Sequence, residues 1–423
     1  MGYKDMLGRG EVVTVDEARR IFYSSYVQPE PETEEVALTS ALGRVLASDI
    51  VSENSLPEFP RSSMDGYAAF SADTFGASES LPAYLKLAGE IKMGEPAAKP
   101  LPRGQVFTIS TGGMLPEGAD AVVMLEHTQA LGKDEVEVLK PVAPGENVVQ
   151  PGDDIRAGET VLSKGHRLRP QDLGALAGIG VTRPSIFKMP KVAIINTGNE
   201  IIPAEQKPLP GQVRDVNSYN LAGLVRQAGG IPVLKGIFRD DYGLIRGAVE
   251  DGLSECDIVA LTGGSSVGTG DLTAKVINDA GEPGVLVHGV SVRPGKPVII
   301  GVVKGKPVFG LPGHPVAVTV SFELFLGPLI KKASGETDPL GIAGIPKDRV
   351  VEAKMARNYS SAPGREDHLR VLLKSEGGEL FAHPVLGKSG LISTLVKAHG
   401  TVVIPIEKPG LLKGEKVTVR LFE

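Results

Sequence analysis

The sequence predicts a multidomain protein of the α/β plus β class, in which a parallel sheet wound with helices is joined to two β-rich domains. Its 423 residues exceed one ordinary core, since domains average about 150 residues. Between residues 191 and 333, apolar strands alternate with helices, which is typical of a parallel sheet. Short strands separated by Pro and Gly at 54–154 and 339–423 predict an inserted β-rich domain and a C-terminal β-barrel-like domain.

The charge balance argues against a polyanionic partner. The net charge of −6 comes from 45 basic and 51 acidic residues that are mixed along the chain, so we expect no nucleic-acid-binding or membrane-binding surface. No apolar run approaches the ~18 residues of a membrane span, and residues 1–5 lack the apolar stretch of a signal peptide. A cytoplasmic protein is therefore expected.

The metal-binding residue types also limit the chemistry. Cys256 is the only cysteine, which excludes an internal disulfide and any multi-cysteine metal site. The seven histidines show no HxH or HxxxH spacing. A metal ion would have to be bound mainly by carboxylates, and such ligands favour a hard ion such as Mg²⁺.

The N-terminal third begins with a helix. Thr14 and Glu17 form the pattern of a capping box, so residues 1–32 are predicted to contain a helix that packs with the sheet domain. Residues 33–53 and 155–186 are predicted to form a connector domain on either side of the inserted β-rich domain at 54–154. Within these parts, strands are predicted at 36–38, 84–87, 105–109 and 135–138, and a small helix at 172–180.

The α/β domain is predicted to span residues 187–338 and the C-terminal β domain residues 339–423. In the first, strands are predicted at 192–195, 232–238 and 257–261, and helices at 217–227, from Asp241 onward, from Asp271 onward, and at 316–329. In the second, strands are predicted at 350–351, 369–373, 402–404 and 417–419.

A glycine-rich loop between Leu261 and Asp271 is a candidate anion site. It reads Leu-Thr-Gly-Gly-Ser-Ser-Val-Gly-Thr-Gly-Asp and links an apolar strand to a helix. Glycines allow close approach of a ligand, and free amides at a helix start bind oxyanions. The loop matches neither the Walker pattern nor GxGxxG. The alternative is a tight structural turn in which Asp271 acts only as the helix N-cap.

Carboxylates follow neighbouring strands of the predicted sheet. Glu200 closes the motif Asn-Thr-Gly-Asn-Glu, and ligands gather at the carboxyl ends of parallel strands, so Glu200 and Asp271 should share one edge. Two carboxylates there could hold a divalent cation against a phosphate. Asp240, which follows the strand ending at Phe238, is a third candidate. For all three residues, helix capping is the commoner use.

Rigid bends supply candidate anion-binding groups. The segment 293–297 reads Arg-Pro-Gly-Lys-Pro and fixes two cations, Arg293 and Lys296, with little freedom between them. Taken alone, it could equally be an exposed hairpin. Pro312 and Pro315 form a second bend that leads directly into a helix N-terminus.

Two motifs of the inserted domain are ambiguous by themselves. Asp65 lies in a Ser-Met-Asp-Gly turn, and Thr111 lies in Ser-Thr-Gly-Gly after a strand. Both patterns are ordinary turn chemistry. No Ser-His-Asp order or nucleophile elbow is present, so covalent catalysis is not expected.

The order of the motifs identifies a family resemblance. The chain resembles the molybdopterin molybdenumtransferases, the MoeA and gephyrin E-domain family, almost from end to end. The motifs that carry the resemblance occur at 63–68, 110–113 with 116–120, 196–200, 263–268 with Asp271, 293–297, and 311–315. The resemblance implies a molybdopterin-binding (MogA-like) sheet domain and a homodimer. In this homodimer, the cleft combines one subunit's sheet domain with the partner's β-rich domain.

The resemblance also implies an activity and the residues that perform it. The enzyme would insert molybdate into adenylylated molybdopterin and release AMP, assisted by Mg²⁺ or another divalent cation. The resemblance makes Glu200 and Asp271 metal ligands and cleft carboxylates, Asp240 a third carboxylate, and Asp65 and Thr111 residues that act across the dimer. The implied ligand-binding residues are Gly263, Gly264, Ser265, Ser266, Asp154, Arg293, Lys296, Pro312, Pro315, Arg365 and Ser389.

The chain departs from the family pattern at three places. His314 stands where the family commonly has Asn, Ser265 replaces the more usual Val or Thr, and the segment 145–152 lacks the arginines often found there. Two other functions remain open at this point: a molybdopterin adenylyltransferase and a non-enzymatic scaffold of the gephyrin E-domain type. A molybdopterin-adenylylating protein and molybdoenzyme acceptors are the expected partners.

Overall fold

The computed structural model describes residues 3–4, 11–263, 270–337 and 350–422. Its N-terminal elements are β1 (Tyr3–Lys4), β2 (Glu11–Val12), α1 (Val15–Ser25), β3 (Thr33–Glu35), a 3₁₀ turn (Leu38–Ser40) and β4 (Ile50–Val51). The hydroxyl of Thr14 accepts a hydrogen bond from the backbone N–H of Glu17 at 3.2 Å, so α1 begins where the sequence predicts. The carboxylate of Glu17, the second residue of the predicted capping box, accepts from Arg20 at 3.2 Å.

Helix α1 packs onto the α/β domain. Its apolar residues Val15, Ala18 and Phe22 are buried in the same core as strands of that domain. The ring of Phe22 lies 5.8 Å from the ring of Phe309, centre to centre. The N-terminal helix is therefore held by burial of its apolar face.

The inserted region forms a six-stranded mixed sheet in the order β10-β11-β7-β8-β6-β9. Its elements are β5 (Arg61–Ser62), β6 (Gly66–Ala69), a 3₁₀ turn (Ser71–Thr74), β7 (Ala83–Ile91), β8 (Gln105–Ile109), β9 (Ala121–Met124), a 3₁₀ turn (Leu125–His127), β10 (Thr128–Leu131), β11 (Glu135–Val138) and β12 (Val148–Val149). The sheet has an apolar cluster on each face, one around Val106 and Val123 and the other around Phe107 and Val122. This alternation of neighbouring residues is the period expected of strands.

The chain then returns alongside the segment that precedes the insertion. The returning elements are β13 (Thr160–Leu162), α2 (Pro170–Gly178) and β14 (Ser185–Phe187). Strand β13 pairs with β4 and β14 pairs with β3, both antiparallel. Helix α2 ends before Gly180, whose φ of 82° is a left-handed conformation that glycine adopts without strain.

The α/β domain contains a six-stranded sheet in the order β18-β15-β19-β23-β22-β20. Its elements are β15 (Lys191–Thr197), β16 (Ile201–Ile202), β17 (Val213–Arg214), α3 (Asn217–Gln227), β18 (Ile231–Phe238), α4 (Tyr242–Glu255), β19 (Ile258–Thr262), α5 (Gly270–Ala280), β20 (Pro283–His288), β21 (Val292–Arg293), β22 (Ile299–Val303), β23 (Lys306–Leu311), α6 (Pro315–Ser321), a π segment (Phe322–Leu326) and α7 (Gly327–Ala333). Strands β18, β15, β19 and β23 are parallel, as predicted.

Strand β22 makes the sheet mixed, because it runs antiparallel to both of its neighbours, β20 and β23. Strands β22 and β23 are antiparallel and are joined by the tight turn Lys304-Gly305, where both residues have positive φ. Such a short connection can join only antiparallel strands. Helices cover both faces of the sheet: Leu221 of α3 is buried on one face, and Ile245 of α4 on the other.

Two helix predictions need correction. The predicted helix at 316–329 is divided into α6, the π segment and α7. Pro328, at the second position of α7, has no N–H to donate, which breaks the regular hydrogen-bond ladder. Helix α5 begins at Gly270, so Asp271 lies in its first turn and not at the N-cap position that the sequence suggested.

The C-terminal region closes into a barrel. Its elements are β24 (Val350–Met355), β25 (Tyr359–Ser360), β26 (Glu366–Glu376), β27 (Glu379–Pro384), α8 (Ser393–Val396), β28 (Gly400–Ile404), β29 (Gly410–Leu411) and β30 (Lys416–Leu421). The order β26-β27-β24-β30-β28 returns to β26, which confirms the predicted barrel. Strand β21 of the α/β domain adds to β26 in parallel. No helix in the described ranges is long and apolar enough to cross a membrane.

Candidate active site

A cleft of about 1330 Å³ lies between the α/β domain and the C-terminal barrel. Its floor is formed by residues that follow the carboxyl ends of β15, β18 and β19. One wall comes from the segment 291–297 and the bend at 312–314, and the other from barrel residues. The cleft thus occupies the place where open α/β sheets bind ligands.

The floor depends on two glycines that leave neighbouring strands together. Strands β15 and β19 pair in parallel with Asn196 opposite Thr262, so Gly198 and Gly263 emerge side by side, and both line the cleft. A Cβ at Gly263, whose φ is 103°, would overlap the backbone carbonyl of Thr197. Only glycine fits there, and the start of the glycine-rich loop therefore presents bare backbone to the cleft.

A buried polar network supports the floor. The Nδ2 of Asn217 donates to the hydroxyl of Thr262 at 3.0 Å and to the carbonyl of Gly313 at 2.8 Å. The Nδ2 of Asn196 donates to the carboxylate of Asp215 at 2.7 Å. The sequence analysis missed Asn217 and Asp215. The sequence signal that could have identified them was their position beside the start of α3, but polar residues there are usually interpreted as helix caps.

The floor carries two carboxylates, Glu200 and Asp240. Burial and the negative charge of Glu200 raise the pKa of Asp240. Its Oδ1 atom is buried and has no hydrogen-bond partner within the described part of the chain. By contrast, the carboxylate of Asp241 accepts from the N–H of Leu244 at 2.9 Å and caps α4. The structure thus assigns capping to Asp241 and places Asp240 in the cleft.

The basic segment predicted at 293–297 forms part of the cleft wall. Both Arg293 and Lys296 line the cleft. The Nη1 of Arg293 lies 3.4 Å from Oδ2 of Asp367, which also accepts from the hydroxyl of Ser361 at 3.0 Å. Gly295, with a φ of 123°, provides the bend between the two cations. The segment therefore forms part of the cleft wall, while the side chain of Arg293 stays half exposed.

The barrel contributes further cations to the opposite wall. Arg365 and Ser389 line the cleft as two of the predicted residues, together with Arg370, which the sequence analysis missed. Arg370 is 7% exposed, its burial lowers its pKa, and its Nη2 donates to the carbonyl of Gly387 at 3.1 Å. The Nε atoms of Arg365 and Arg370 are buried and have no hydrogen-bond partner among the described residues. The sequence signal that could have identified Arg370 was its position within the apolar strand predicted at 369–373.

The bend at 311–315 connects the α/β domain to the barrel. The Nδ1 of His314 lies 2.8 Å from the hydroxyl of Ser389, and the backbone N–H of Val316 donates to the carbonyl of Ser389 at 3.2 Å. Pro312 lines the cleft. Pro315 is buried as the first residue of α6 and is not part of the cleft surface.

Besides Pro315, three predicted residues lie outside the cleft lining. The carboxylate of Asp65 accepts from the backbone N–H of Thr111 at 2.7 Å and from its hydroxyl at 2.9 Å, and these bonds lower the pKa of Asp65. Asp154 is exposed, and its backbone N–H donates to the carbonyl of Leu56 at 3.1 Å. The structure therefore joins Asp65 to Thr111 and leaves both apart from Glu200 within one chain.

Some predictions fall on residues that the structure does not describe. Gly264, Ser265 and Ser266 lie outside the described residues, and of Asp271 only the backbone is described. Within the described ranges, no cluster of three or more His, Cys, Asp or Glu side chains has the arrangement of a metal site.

Comparison with known proteins places this architecture in a family. Three family models match in succession: the MoeA N-terminal region (domain I and II) at residues 13–180, the probable molybdopterin binding domain at 193–332, and the MoeA C-terminal region (domain IV) at 352–422. The chain is 32% identical to the molybdopterin molybdenumtransferase of Bacillus subtilis, covering 99% of this chain and 96% of that protein. The chain belongs to the MoeA family.

Other relatives in the MoeA family match over comparable lengths. A protein of Methanocaldococcus jannaschii named for molybdopterin biosynthesis is 38% identical, covering 95% of each chain. The crystal structure of the molybdopterin biosynthesis MoeA protein from Pyrococcus horikoshii is 34% identical, with a TM-score of 0.82 over 97% of this chain and 100% of that chain. The arrangement of sheet domain, inserted β-rich region and barrel is thus that of the MoeA fold.

Proposed function

We propose that this protein is a molybdopterin molybdenumtransferase that inserts molybdate into adenylylated molybdopterin and releases AMP. The observation that carries the proposal is the cleft in which an acidic sheet edge faces basic groups from two domains. Membership of the MoeA family supports it, since curated relatives that match nearly the whole chain bear that name.

The basic groups suit an oxyanion substrate. Arg293 and Lys296 on one wall, with Arg365 and Ser389 on the other, would hold the oxygens of molybdate beside the pterin. Guanidinium groups bind such oxygens through paired N–H donors. Because no protein nucleophile is needed, catalysis would consist of positioning and charge stabilisation.

The glycine-rich loop would receive the adenylate and pterin. Gly263 allows the backbone to approach the ligand, and we propose that Gly264, Ser265 and Ser266 continue this contact toward the start of α5. Pro312 would shape the cleft wall directly and Pro315 from beneath the surface, because each fixes its own backbone φ.

The carboxylates suit a divalent cation. Glu200 and Asp240 present like charges to one space, and Asp240 has a buried oxygen with no hydrogen-bond partner among the described residues. A hard cation with oxygen ligands would relieve that repulsion. We propose Glu200 and Asp271 as its ligands, with Asp240 as a third carboxylate. When bound, Mg²⁺ would neutralise charge on the adenylate phosphate.

The residues outside the cleft fit a homodimer. Asp65 and Thr111 form one hydrogen-bonded unit that does not line the cleft of its own chain. We propose that the partner subunit's Asp65 and Thr111 complete the site and that Asp154 is a further acidic contributor. The enzyme would act in the cytoplasm between a molybdopterin-adenylylating protein and molybdoenzyme acceptors.

The decisive experiment supplies the full chain with adenylylated molybdopterin, Mg²⁺ and molybdate or tungstate, and follows AMP release and cofactor formation. We expect AMP release that depends on the oxyanion and is lost in Asp271→Asn. Absence of oxyanion-dependent AMP release would overturn the proposal. A protein acting purely as a scaffold would show no such release in either form.

The adenylyltransferase alternative is not favoured, because relatives along the whole chain are named molybdenumtransferases. Incubation with ATP and molybdopterin tests it directly. Formation of adenylylated molybdopterin without another protein would support that alternative.

A further inference from the structure

His314 and Ser389 meet across the junction between the α/β domain and the barrel. The Nδ1 of His314 lies 2.8 Å from Oγ of Ser389, and both residues line the cleft. His314 is at the N-cap position of α6 but makes no side-chain capping bond there. Its ring is therefore directed to Ser389 instead of its own helix.

The backbone holds Ser389 independently of this ring. The N–H of Val316 donates to the carbonyl of Ser389 at 3.2 Å. A Cβ added at Gly390 would approach His314 Cδ2 to 3.5 Å, so the next residue also lies against the ring. Because the backbone already fixes the position of Ser389, the contact with Nδ1 of His314 mainly determines where the Ser389 hydroxyl proton points.

That direction has a chemical consequence. A serine hydroxyl has one proton to donate and two lone pairs that accept. If Nδ1 of His314 accepts the proton, the hydroxyl presents only lone pairs to the cleft and repels an oxyanion. If Nδ1 carries a proton and donates it, the hydroxyl proton is free for a ligand oxygen.

The cations around the cleft would bind an anion, and a bound anion favours the second arrangement. Arg365 and Lys388 line the barrel wall of the cleft together with Ser389, and Arg293 and Lys296 line the other wall. An oxyanion held by these cations gains a further donor only if His314 donates to Ser389.

We propose that His314 is a positioning residue whose Nδ1–H donates to Ser389 Oγ, so that the Ser389 hydroxyl donates to a bound molybdate-type oxyanion. The inference rests on the proposed function for its ligand. It concerns a position where this chain departs from the Asn common in the family. An asparagine amide N–H could make the same donation, whereas a histidine can do so only with the proton on Nδ1.

The test uses a matched pair of variants in two backgrounds, with molybdate binding measured by calorimetry. His314→Asn keeps a side-chain donor, and His314→Asp offers only acceptors in a similar shape. We expect His314→Asn to bind within about threefold of the wild type and His314→Asp to bind at least about tenfold more weakly. His288→Asn, an exposed histidine outside the cleft lining, is the control and should bind like the wild type.

The Ser389→Ala background separates hydrogen bonding from charge. The negative charge of His314→Asp repels molybdate whether or not Ser389 is present, but its capture of the hydroxyl proton requires Ser389. We expect the difference in molybdate affinity between His314→Asn and His314→Asp to be about tenfold larger with Ser389 present than in the Ser389→Ala background. An equal penalty in both backgrounds would overturn the inference.

A spectroscopic measurement needs no destabilising variant. In protein labelled with ¹⁵N-histidine, the His314 signals are assigned by their loss in His314→Asn. With molybdate bound, Nδ1 should show the shift of a protonated nitrogen, and an unprotonated Nδ1 would contradict the inference. If the wild type binds no molybdate, the inference and the proposed function fail together; if it binds and Nδ1 is unprotonated, the inference fails alone.

Discussion

The Nη1 atom of Arg293 lies 3.4 Å from Oδ2 of Asp367, and this contact joins the basic wall of the α/β domain to the barrel. The two residues are also opposite each other in the parallel pairing of β21 with β26. The Asp367 side chain is 3% exposed, whereas that of Arg293 is 50% exposed. A buried carboxylate therefore orients a cation whose other face is open to the cleft.

Replacing Asp367 by Asn should affect both the barrel and anion binding. We expect a loss of about 2 kcal/mol in unfolding free energy, since the charge-assisted bonds from Arg293 and Ser361 are weakened. Molybdate affinity should also fall, because Arg293 loses its orientation. Denaturant unfolding and calorimetry measure the two effects, with the exposed Glu407→Gln as control. Unchanged affinity would show that Arg293 does not need this partner.

Replacing Glu200 by Gln should stabilise the protein while removing activity. The like charge of Glu200 contributes to the raised pKa of Asp240, so the substitution should lower that pKa toward its usual value. Repulsion exists only while both carboxyls are ionised. The thermal midpoint should therefore rise by about 1–3 °C at pH 7, and the gain should shrink as falling pH protonates Asp240.

Addition of Mg²⁺ provides a second test of the Glu200→Gln variant. If Glu200 helps to bind the ion, added Mg²⁺ should raise the thermal midpoint of the wild type more than that of Glu200→Gln. Glu205→Gln, an exposed position in the same segment, should respond like the wild type. Equal stabilisation of all three proteins would argue against a metal role for Glu200.

If the protein forms the proposed homodimer, mixed dimers test whether Asp65 acts across the subunit interface. Each site should need Glu200 from one subunit and Asp65 from the other. A dimer of one Glu200→Gln subunit and one Asp65→Asn subunit then contains one site with both residues intact. We expect its AMP release to recover to about half of the wild-type rate per dimer, although each homodimeric variant is inactive. No recovery would place Asp65 and Glu200 in the site of the same chain.

Asp172 is predicted to control the acid stability of the connector region. Burial alone would raise the pKa of Asp172, but hydrogen bonds from Arg169 and His166 outweigh this effect and hold it well below its usual range. The carboxylate therefore stabilises the folded state at neutral pH.

The corresponding variant is Asp172→Asn. We expect it to lose about 2 kcal/mol of unfolding free energy at pH 7, because hydrogen bonds to a charged group are replaced by neutral ones. The difference from the wild type should narrow below about pH 4, where an unfolded aspartate takes up its proton. Denaturant unfolding across pH 3–7 measures this, and a difference independent of pH would contradict the assigned cause.

The elements that the sequence predicted well are those with local signals. The helix at 217–227 coincides with α3, because Leu221 and Val225 repeat at helical spacing. Thr14 marks the start of α1 through its own capping bond. The local signals at Pro328 and at the Lys304-Gly305 turn were not used in the sequence analysis, so the π segment at Phe322–Leu326 and the antiparallel β22–β23 pair were missed. The domain limits remain predictions.

The candidate site was predictable where motifs follow strands. Glu200, Asp240 and Gly263 lie at one sheet edge because β15, β18 and β19 are neighbouring parallel strands, and this order is a common one for α/β sheets. Arg370 and Asn217 were missed because their importance depends on burial, which arises only after distant elements pack.

The sequence by itself determined the fold class, the motif order and the residue types available for anion and cation binding, since these depend on periodicity and local chemistry. Only the tertiary structure decided that Asp240 enters the cleft while Asp241 caps α4, and that Arg293 is held by Asp367. It also brought His314 to Ser389. The Arg293–Asp367 and His314–Ser389 contacts join residues 74 and 75 positions apart, and the packing of the barrel on the sheet sets their distances.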